Sequence, residues 1–307
     1  MNEFDILQIQ DLKLNTFPER MFLLGNLRRL NAFHNRISKI PSDFQRLMML
    51  AELNLSENPL GIVGLTVFAL TNLTDLRMSR CELKAISQAI GKLRALEVFD
   101  ISQNNIRDLP ESLFRLERLC DCRLSDNVVE ELPSSIGFST SLTVLTLHIN
   151  NITSLPLSVS KLALLSVVTF SRNALCRIPS SVGGFASLNV LTLSNCSLHE
   201  YPSVLCSGSF LLLRELWLSH NSLTSIPAEI KKLVRLEQLW LNHNKLTYIH
   251  RDLRTLSIRI LSLYGNMELE VPDFIPHMNI EFFYDVHSVS TLAENTENSL
   301  TVLKPSA

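Results

Sequence analysis

The chain has 307 residues, with 28 Lys and Arg against 30 Asp and Glu and 46% hydrophobic content, enough for a large core or a long repeat array. A formal net charge of −2 argues against nucleic acid or an anionic membrane surface as the main partner. Nine glycines leave little material for Gly-rich phosphate loops.

The amino end, MNEFDILQIQDLKL, is acidic and broken by polar residues, unlike the basic start and apolar run of a secretory signal. No apolar run reaches the roughly 18 residues of a membrane span. A cytoplasmic location is therefore expected. Phe4 opens a degenerate copy of the frame Leu-x-x-Leu-x-Leu-x-x-Asn-x-Leu, with Leu12 at the place of Asn. The frame is complete from Leu27 and returns at Leu50, Leu73, Leu96, Leu119, Leu142, Leu165, Leu188, Leu213, Leu236 and Ile258. That makes twelve units, spaced by 23 residues except for 25 after Leu188 and 22 after Leu236. Starting at Phe4 leaves almost no room for an amino-terminal cap. Either residues 1–3 and the polar first coil cover that end, or the chain is a shortened form of a longer protein.

Each slot of the frame has a physical reading. The alternation x-Leu-x-Leu-x is a short strand with leucines inward, and one strand per unit stacks into a parallel sheet. The Asn slot can bury an amide that bonds the backbone of its own and the next coil. It holds Asn35, Asn58, Asn104, Asn127, Asn150, Asn173, Asn221, Asn244 and Asn266, with Cys81 and Cys196 as substitutes. Leu-Pro-type pairs follow, such as Leu109-Pro110 and Ile226-Pro227, and then apolar residues at short-helix spacing, such as Ile226, Ile230 and Leu233. Pro fixes φ and suits the start of a helical or 3₁₀ turn on the outer side.

With the first Leu as place zero, places two, four, six and seven point away from the core. Phe33 and His34 form a minor aromatic spot near the amino end. Asp75, Arg77, Arg80, Asp100, Asp121, Arg123 and Asp126 bring mixed charge, for which cross-strand ion pairs are expected. Val144, Thr146, Ile149, Val167, Thr169, Val190 and Thr192 form a small, smooth stretch. CSGSF (residues 206–210) carries a two-residue insertion, expected as a loop on the outer side.

LRELWLSHNSLTSIP and LEQLWLNHNKLTYIH then repeat one phrase with nine of fifteen positions identical. Both tryptophans of the chain, Trp217 and Trp240, fall on place four of adjacent strands. His220 and His243 make a second rung at place seven, Glu215 and Gln238 flank at place two, and Tyr264 extends the patch. An exposed aromatic cluster on a sheet is the chemistry of an interface hot spot; stacking for sheet stability is the alternative. The repeat domain is expected over 4–280. Residues 273–286 are apolar enough to cap the last coil, and the Ser-, Thr- and Asn-rich segment 287–307 reads as a disordered tail.

This frame resembles that of a leucine-rich-repeat protein. The resemblance implies an α/β solenoid, a curved horseshoe with a concave parallel sheet and short 3₁₀, helical or irregular convex segments. The 23-residue unit, as in NNIRDLPESLFRL and NSLTSIPAEIKKL, is similar to the intracellular Leu-Pro subgroup. That subgroup includes the Shoc-type Ras-pathway scaffold, the Scribble/Erbin polarity proteins and the plant Ras-group repeats. The similarity implies a signalling scaffold whose partner is a protein, such as a small GTPase or a phosphatase subunit. No PDZ-type module follows the repeats, and no basic–Val–x–Phe phosphatase-docking motif is evident.

Catalytic motifs are missing. There is no Gly-x-Ser-x-Gly elbow, Walker loop or His-Glu-x-x-His, and Cys206 and Arg214 are too far apart for a Cys-based phosphatase loop. No cofactor or metal is expected, since the two site histidines have no converging third ligand. The six cysteines form no CxxC and read as reduced thiols. The leading expectation is a non-catalytic intracellular adaptor. Alternatives are a substrate-recognition or regulatory subunit of a ubiquitin ligase or phosphatase, and an extracellular recognition protein.

Overall fold

Places two to four of each coil are strand, with the middle residue buried from the second coil to the twelfth, half-buried in the first, and its neighbours facing away from the core. The computed structural model describes residues 5–278 and 281–283. These fall into two compact units, Met1–Leu164 and Leu165–Ala307. Phe4 and the expected tail lie outside the described residues.

The first unit carries β1 (Ile6–Gln8), β2 (Arg29–Asn31), β3 (Glu52–Asn54), β4 (Asp75–Arg77), β5 (Val98–Asp100), β6 (Asp121–Arg123) and β7 (Val144–Thr146). All pair parallel with their sequence neighbours, and equal places sit in register, as Arg77↔Asp100↔Arg123 shows. Leu30, Leu53, Leu76, Phe99, Cys122 and Leu145 point inward from the strand centres and are at most 2% exposed.

The second unit carries β8 (Val167–Thr169), β9 (Val190–Thr192), β10 (Glu215–Trp217), β11 (Ser225–Ile226), β12 (Gln238–Trp240), β13 (Tyr248–Ile249), β14 (Ile260–Ser262) and β15 (Glu281–Phe283). β8, β9, β10, β12, β14 and β15 form one parallel sheet. β11 and β13 form a separate two-residue pair. Within the segment read from sequence as a cap, residues 281–283 add a strand to this sheet, pairing Ile260 with Glu281.

The strands are shorter than the five-residue alternation suggested, because the chain turns at place seven. His34, Glu57, Arg80, Gln103, Asp126, Ile149, Arg172, Asn195, His220 and His243 have φ between 52° and 58°, the left-handed region. Backbone bonding between coils nonetheless continues through this turn, as in His34 N–H to Ser56 O at 3.0 Å. Ile149 is the β-branched member of the set, and left-handed backbone costs a branched side chain most. Ile149→Asn should therefore raise stability by about 0.5–1 kcal/mol in urea unfolding, while Ile149→Val should not. A destabilised Asn variant would mean that the half-buried Ile side chain matters more than its backbone.

The Asn ladder is buried throughout. Its amides bond their own coil and the preceding one, not the next. Asn35 accepts from Leu12 and Leu14 N–H at 3.2 and 3.0 Å and donates to Ile9 O at 2.7 Å and Ala32 O at 3.0 Å. Cys81 and Cys196 keep only the donor half, with Sγ 3.2 Å from Leu55 O and 3.3 Å from Phe170 O. Burial pushes both thiols up to about 11, so they stay protonated donors.

The outer segments of the coils are 3₁₀ turns, and no α-helix occurs among the described residues. Eight of them have Pro at the residue before the turn, with φ between −60° and −78°. Pro lacks a donor, but its carbonyl accepts the opening bond, as Leu113 N–H to Pro110 O at 3.0 Å shows. At two turns without that Pro a side chain caps instead: Ser87 Oγ accepts from Ala89 N–H and His250 Nδ1 from Asp252 N–H, each at 3.2 Å. The two-residue insertion is a loop with Gly208 at φ 84°, but it is anchored by Phe210, which is 1% exposed.

Candidate functional site

Register sets the geometry of the tryptophans. Trp217 pairs with Trp240 on adjacent parallel strands, so their Cβ atoms lie about one strand spacing, about 4.8 Å, apart on one face. Their rings stack with centroids 4.6 Å apart and planes at 14°. Both are half-buried, and the indole Nε1 of Trp217 is enclosed without a hydrogen-bond partner among the described residues. On that row the flanking strands present Thr192 and Ser262. The tryptophans therefore form a ridge bounded by small hydroxyl side chains.

The histidines make the second rung, but from the turn and not from the strand. Left-handed backbone at His220 (φ 54°) and His243 (φ 55°) lifts both rings over the strand ends, where they stack at 4.4 Å and 21°. Tyr264 meets His243 edge-on at 5.1 Å and 85°. Gly265 is a site residue that the sequence reading missed. A Cβ there would lie 2.9 Å from His243 Cγ and closer still to Nδ1, so only glycine lets the His243 ring lie over the next turn. Its signal in the sequence is a glycine at place seven of the last complete coil. The His220 pKa is lowered by burial first, then by His243 and Arg172, so the ring is neutral at pH 7.

Glu215 and Gln238 are register partners at place two, both half-buried. Neither makes a hydrogen bond or ion pair among the described residues; the adjacent Arg214 is held instead by Glu237, at 2.7 Å.

The first unit contrasts with this patch. Of the residues for which cross-strand pairs were expected, Arg80 makes one between coils, with Glu57 at 2.8 Å, and Arg29–Glu52 (3.0 Å) pairs across strands outside that set. The arginines at place four, Arg77 and Arg123, bond within their own strand instead. Arg77 holds Asp75 with a fork at 2.9 and 2.7 Å, and Arg123 holds Asp121 at 3.1 and 2.7 Å. Residues i and i+2 share a face at a distance a guanidinium spans, whereas Asp100 lies opposite both arginines and could not fork with each. The Asp75 and Asp121 hydrogen bonds raise the two arginine pKa values further. Asp100 turns to Ser102, accepting from its N–H at 2.9 Å and its hydroxyl at 2.6 Å.

Phe33 and His34 lie 5.9 Å apart, and His34 Nδ1 is 2.5 Å from Asp11 Oδ1. A hollow of about 260 Å³ above β1–β4 is lined by such self-paired groups, among them Arg29, Glu52, Asp75 and Arg77. Exposed pairs of this kind contribute little to stability, but they leave few polar groups wanting a partner. Among the described residues no group of three or more His, Cys, Asp or Glu side chains could hold a metal, and no helix is long and apolar enough to cross a membrane.

Comparison with known proteins agrees with the fold. A model of leucine-rich repeats in two copies matches residues 212–256, and a model of the single leucine-rich repeat matches 26–47. No curated protein matches the chain. Among solved structures, an internalin (InlF) from Listeria monocytogenes is 20% identical with a TM-score of 0.80, covering 99% of this chain and 87% of that one. A leucine-rich-repeat protein of Leptospira interrogans is 23% identical with a TM-score of 0.66, covering 88% and 81%. The plant peptide hormone receptor RGFR1 in complex with RGF2 is 22% identical with a TM-score of 0.63, covering 88% of this chain and 53% of the receptor.

Proposed function

We propose that this leucine-rich-repeat chain is a non-catalytic scaffold that binds a protein partner on the sheet face of its second unit, centred on Trp217 and Trp240. One observation carries the reading. A stacked pair of large aromatic rings stands beside the Glu215 carboxylate and the enclosed Trp217 Nε1, polar groups without a partner among the described residues. Half-exposed tryptophans in such a setting are the usual anchors of a protein interface. On the sheet face of the first unit, Arg29, Arg77, Arg80 and Arg123 are held by the unit's own carboxylates. The solved plant receptor complex is one case in which this fold is seen with a partner bound.

The 23-residue Leu-Pro unit supports a place among intracellular signalling scaffolds, with a small GTPase or phosphatase subunit as the partner class that resemblance suggests. A cytoplasmic setting is supported by Cys81 and Cys196, whose thiols serve as hydrogen-bond donors inside the coils.

The test compares partners recovered by proximity labelling and pull-down with the full chain and with Trp217→Ala/Trp240→Ala. A hot-spot pair should cost about 4 kcal/mol, roughly a thousandfold in affinity, with thermal unfolding nearly unchanged. Arg77→Ala/Arg123→Ala should recover the same partner as the unaltered chain. Equal recovery by the tryptophan variant would sink the assignment.

A further inference from the structure

The second unit's sheet face repeats a pattern of the first with one element replaced. In β4 and β6 an acid at place two is forked by an arginine at place four: Asp75 by Arg77 and Asp121 by Arg123. In β10 the acid at place two is Glu215, and place four holds Trp217. Glu215 keeps the carboxylate without its guanidinium. Its register neighbours, Val190 and Gln238, carry no charge, and Arg214 is engaged by Glu237.

Trp217 offers the complementary half of such a site. Trp240 covers one face of its ring. Because the rings stack along the direction from strand to strand, the opposite face looks toward β9, where the register residue is only Thr192. That leaves a shelf beside an aromatic face, and the electron-rich face of an indole attracts cations. Arg172 is at place seven two coils before His220, with Asn195 on the coil between them, and the lowered His220 pKa keeps that ring neutral at pH 7.

We infer that the partner supplies an arginine to this shelf, its guanidinium lying flat on the free face of Trp217 and forking to the Glu215 carboxylate. This rests on the reading of the tryptophan ridge as a protein-binding site, and it names the chemistry that the site selects. Arginine suits it better than lysine, because a planar guanidinium stacks on a ring and donates two parallel hydrogen bonds at once.

The test uses the full chain and blocked pentapeptides with one central arginine, citrulline or lysine between alanines. Each is titrated to about 50 mM while the two indole N–H resonances are followed, a range that reaches affinities far weaker than 1 mM. The arginine peptide should give a saturable shift that is larger at Trp217 than at Trp240. Citrulline, which keeps the shape but loses the charge, should give none, and lysine should bind several-fold more weakly. Glu215→Gln should weaken the arginine peptide about tenfold or more, the loss of a charge-assisted fork. Trp217→Arg should rebuild the pairing of β4 and β6 within the chain, abolish peptide binding and leave thermal unfolding intact.

No shift with the arginine peptide, equal shifts with citrulline, or unchanged affinity in Glu215→Gln would each overturn the inference. The two readings fail separately. If Trp217→Ala/Trp240→Ala still recovers the cellular partner, the site itself is wrong. If that variant loses the partner while the arginine peptide leaves both indoles unmoved, only the arginine is wrong.

Discussion

Asn104→Leu should lower the unfolding free energy by about 3–5 kcal/mol, although Leu is close to Asn in size and better suited to an apolar interior. The Asn104 amide is buried and fully used. Its Oδ1 accepts from Cys81 and Leu83 N–H, both at 2.9 Å, and its Nδ2 donates to Met78 O and Ile101 O, both at 2.9 Å. Three of these four partners belong to the preceding coil, so the substitution strands backbone groups that water cannot reach. Each such group costs about 1–3 kcal/mol, with some relief from local relaxation. Asn104→Cys should lose about half as much, because Cys81 and Cys196 show that a thiol at this slot retains the donor. The urea midpoints of the two variants measure both quantities. A midpoint within experimental error of the unaltered chain for Asn104→Leu would mean that apolar stacking alone holds adjacent coils together.

Gly137→Ala should destabilise by about 1–3 kcal/mol, the cost of overpacking. The sign is the informative part. Gly137 lies in the 3₁₀ turn Ser134–Phe138 and its φ is not positive, so removing backbone freedom there should by itself stabilise by about 0.4–1 kcal/mol. A Cβ, however, would lie 2.8 Å from both Cβ and the carbonyl oxygen of Ser158 in the next turn. The oxygen belongs to the backbone, so relief requires one coil to move off its neighbour. Gly25→Ala, with nothing within 4 Å of the added carbon, is the matched control and should not destabilise. Combining Gly137→Ala with Ser158→Gly should restore part of the loss, since it removes the Cβ contact and leaves the carbonyl. If both glycines respond alike to alanine in thermal unfolding, tight coil stacking at residue 137 is excluded.

These two positions differ in how visible they were beforehand. Asn104 stands out because the Asn recurs at the same place in nine coils, and a polar residue kept among leucines has to satisfy its amide inside. The direction of its bonds was not visible. Place eight follows a left-handed residue, and that turn aims the amide at the coil before, which spacing along the chain does not encode. Gly137 carried no signal, because the approach of Ser158 depends on how two turns nest, not on either turn alone.

The candidate site divides in the same way. Equal spacing put Trp217 beside Trp240 and Glu215 beside Gln238, and the parallel register places them so. The same numbering assigned His220 and His243 to the strand, whereas both sit on the left-handed turn and stack from there. The mixed charges suggested cross-strand pairing. Arg77 and Arg123 instead fork within their strands, because Asp100 lies between them and serves Ser102. That Glu215 has no such arginine emerged only once the pairing of its counterparts in β4 and β6 was known.

The linear order of residues was sufficient for the coil, the inward leucines, the Asn ladder and the slot shared by the tryptophans. Each of these follows from a period, and a period brings equivalent side chains together whatever the detail of the path between them. Tertiary structure alone decided which groups satisfy one another: the ring stacks, the space above Gly265, the self-paired arginines and a Glu215 with no ion pair among the described residues. Those outcomes depend on distances of a few tenths of an ångström and on competition among neighbours three to eight residues or a whole coil apart, and no spacing rule ranks such competitors.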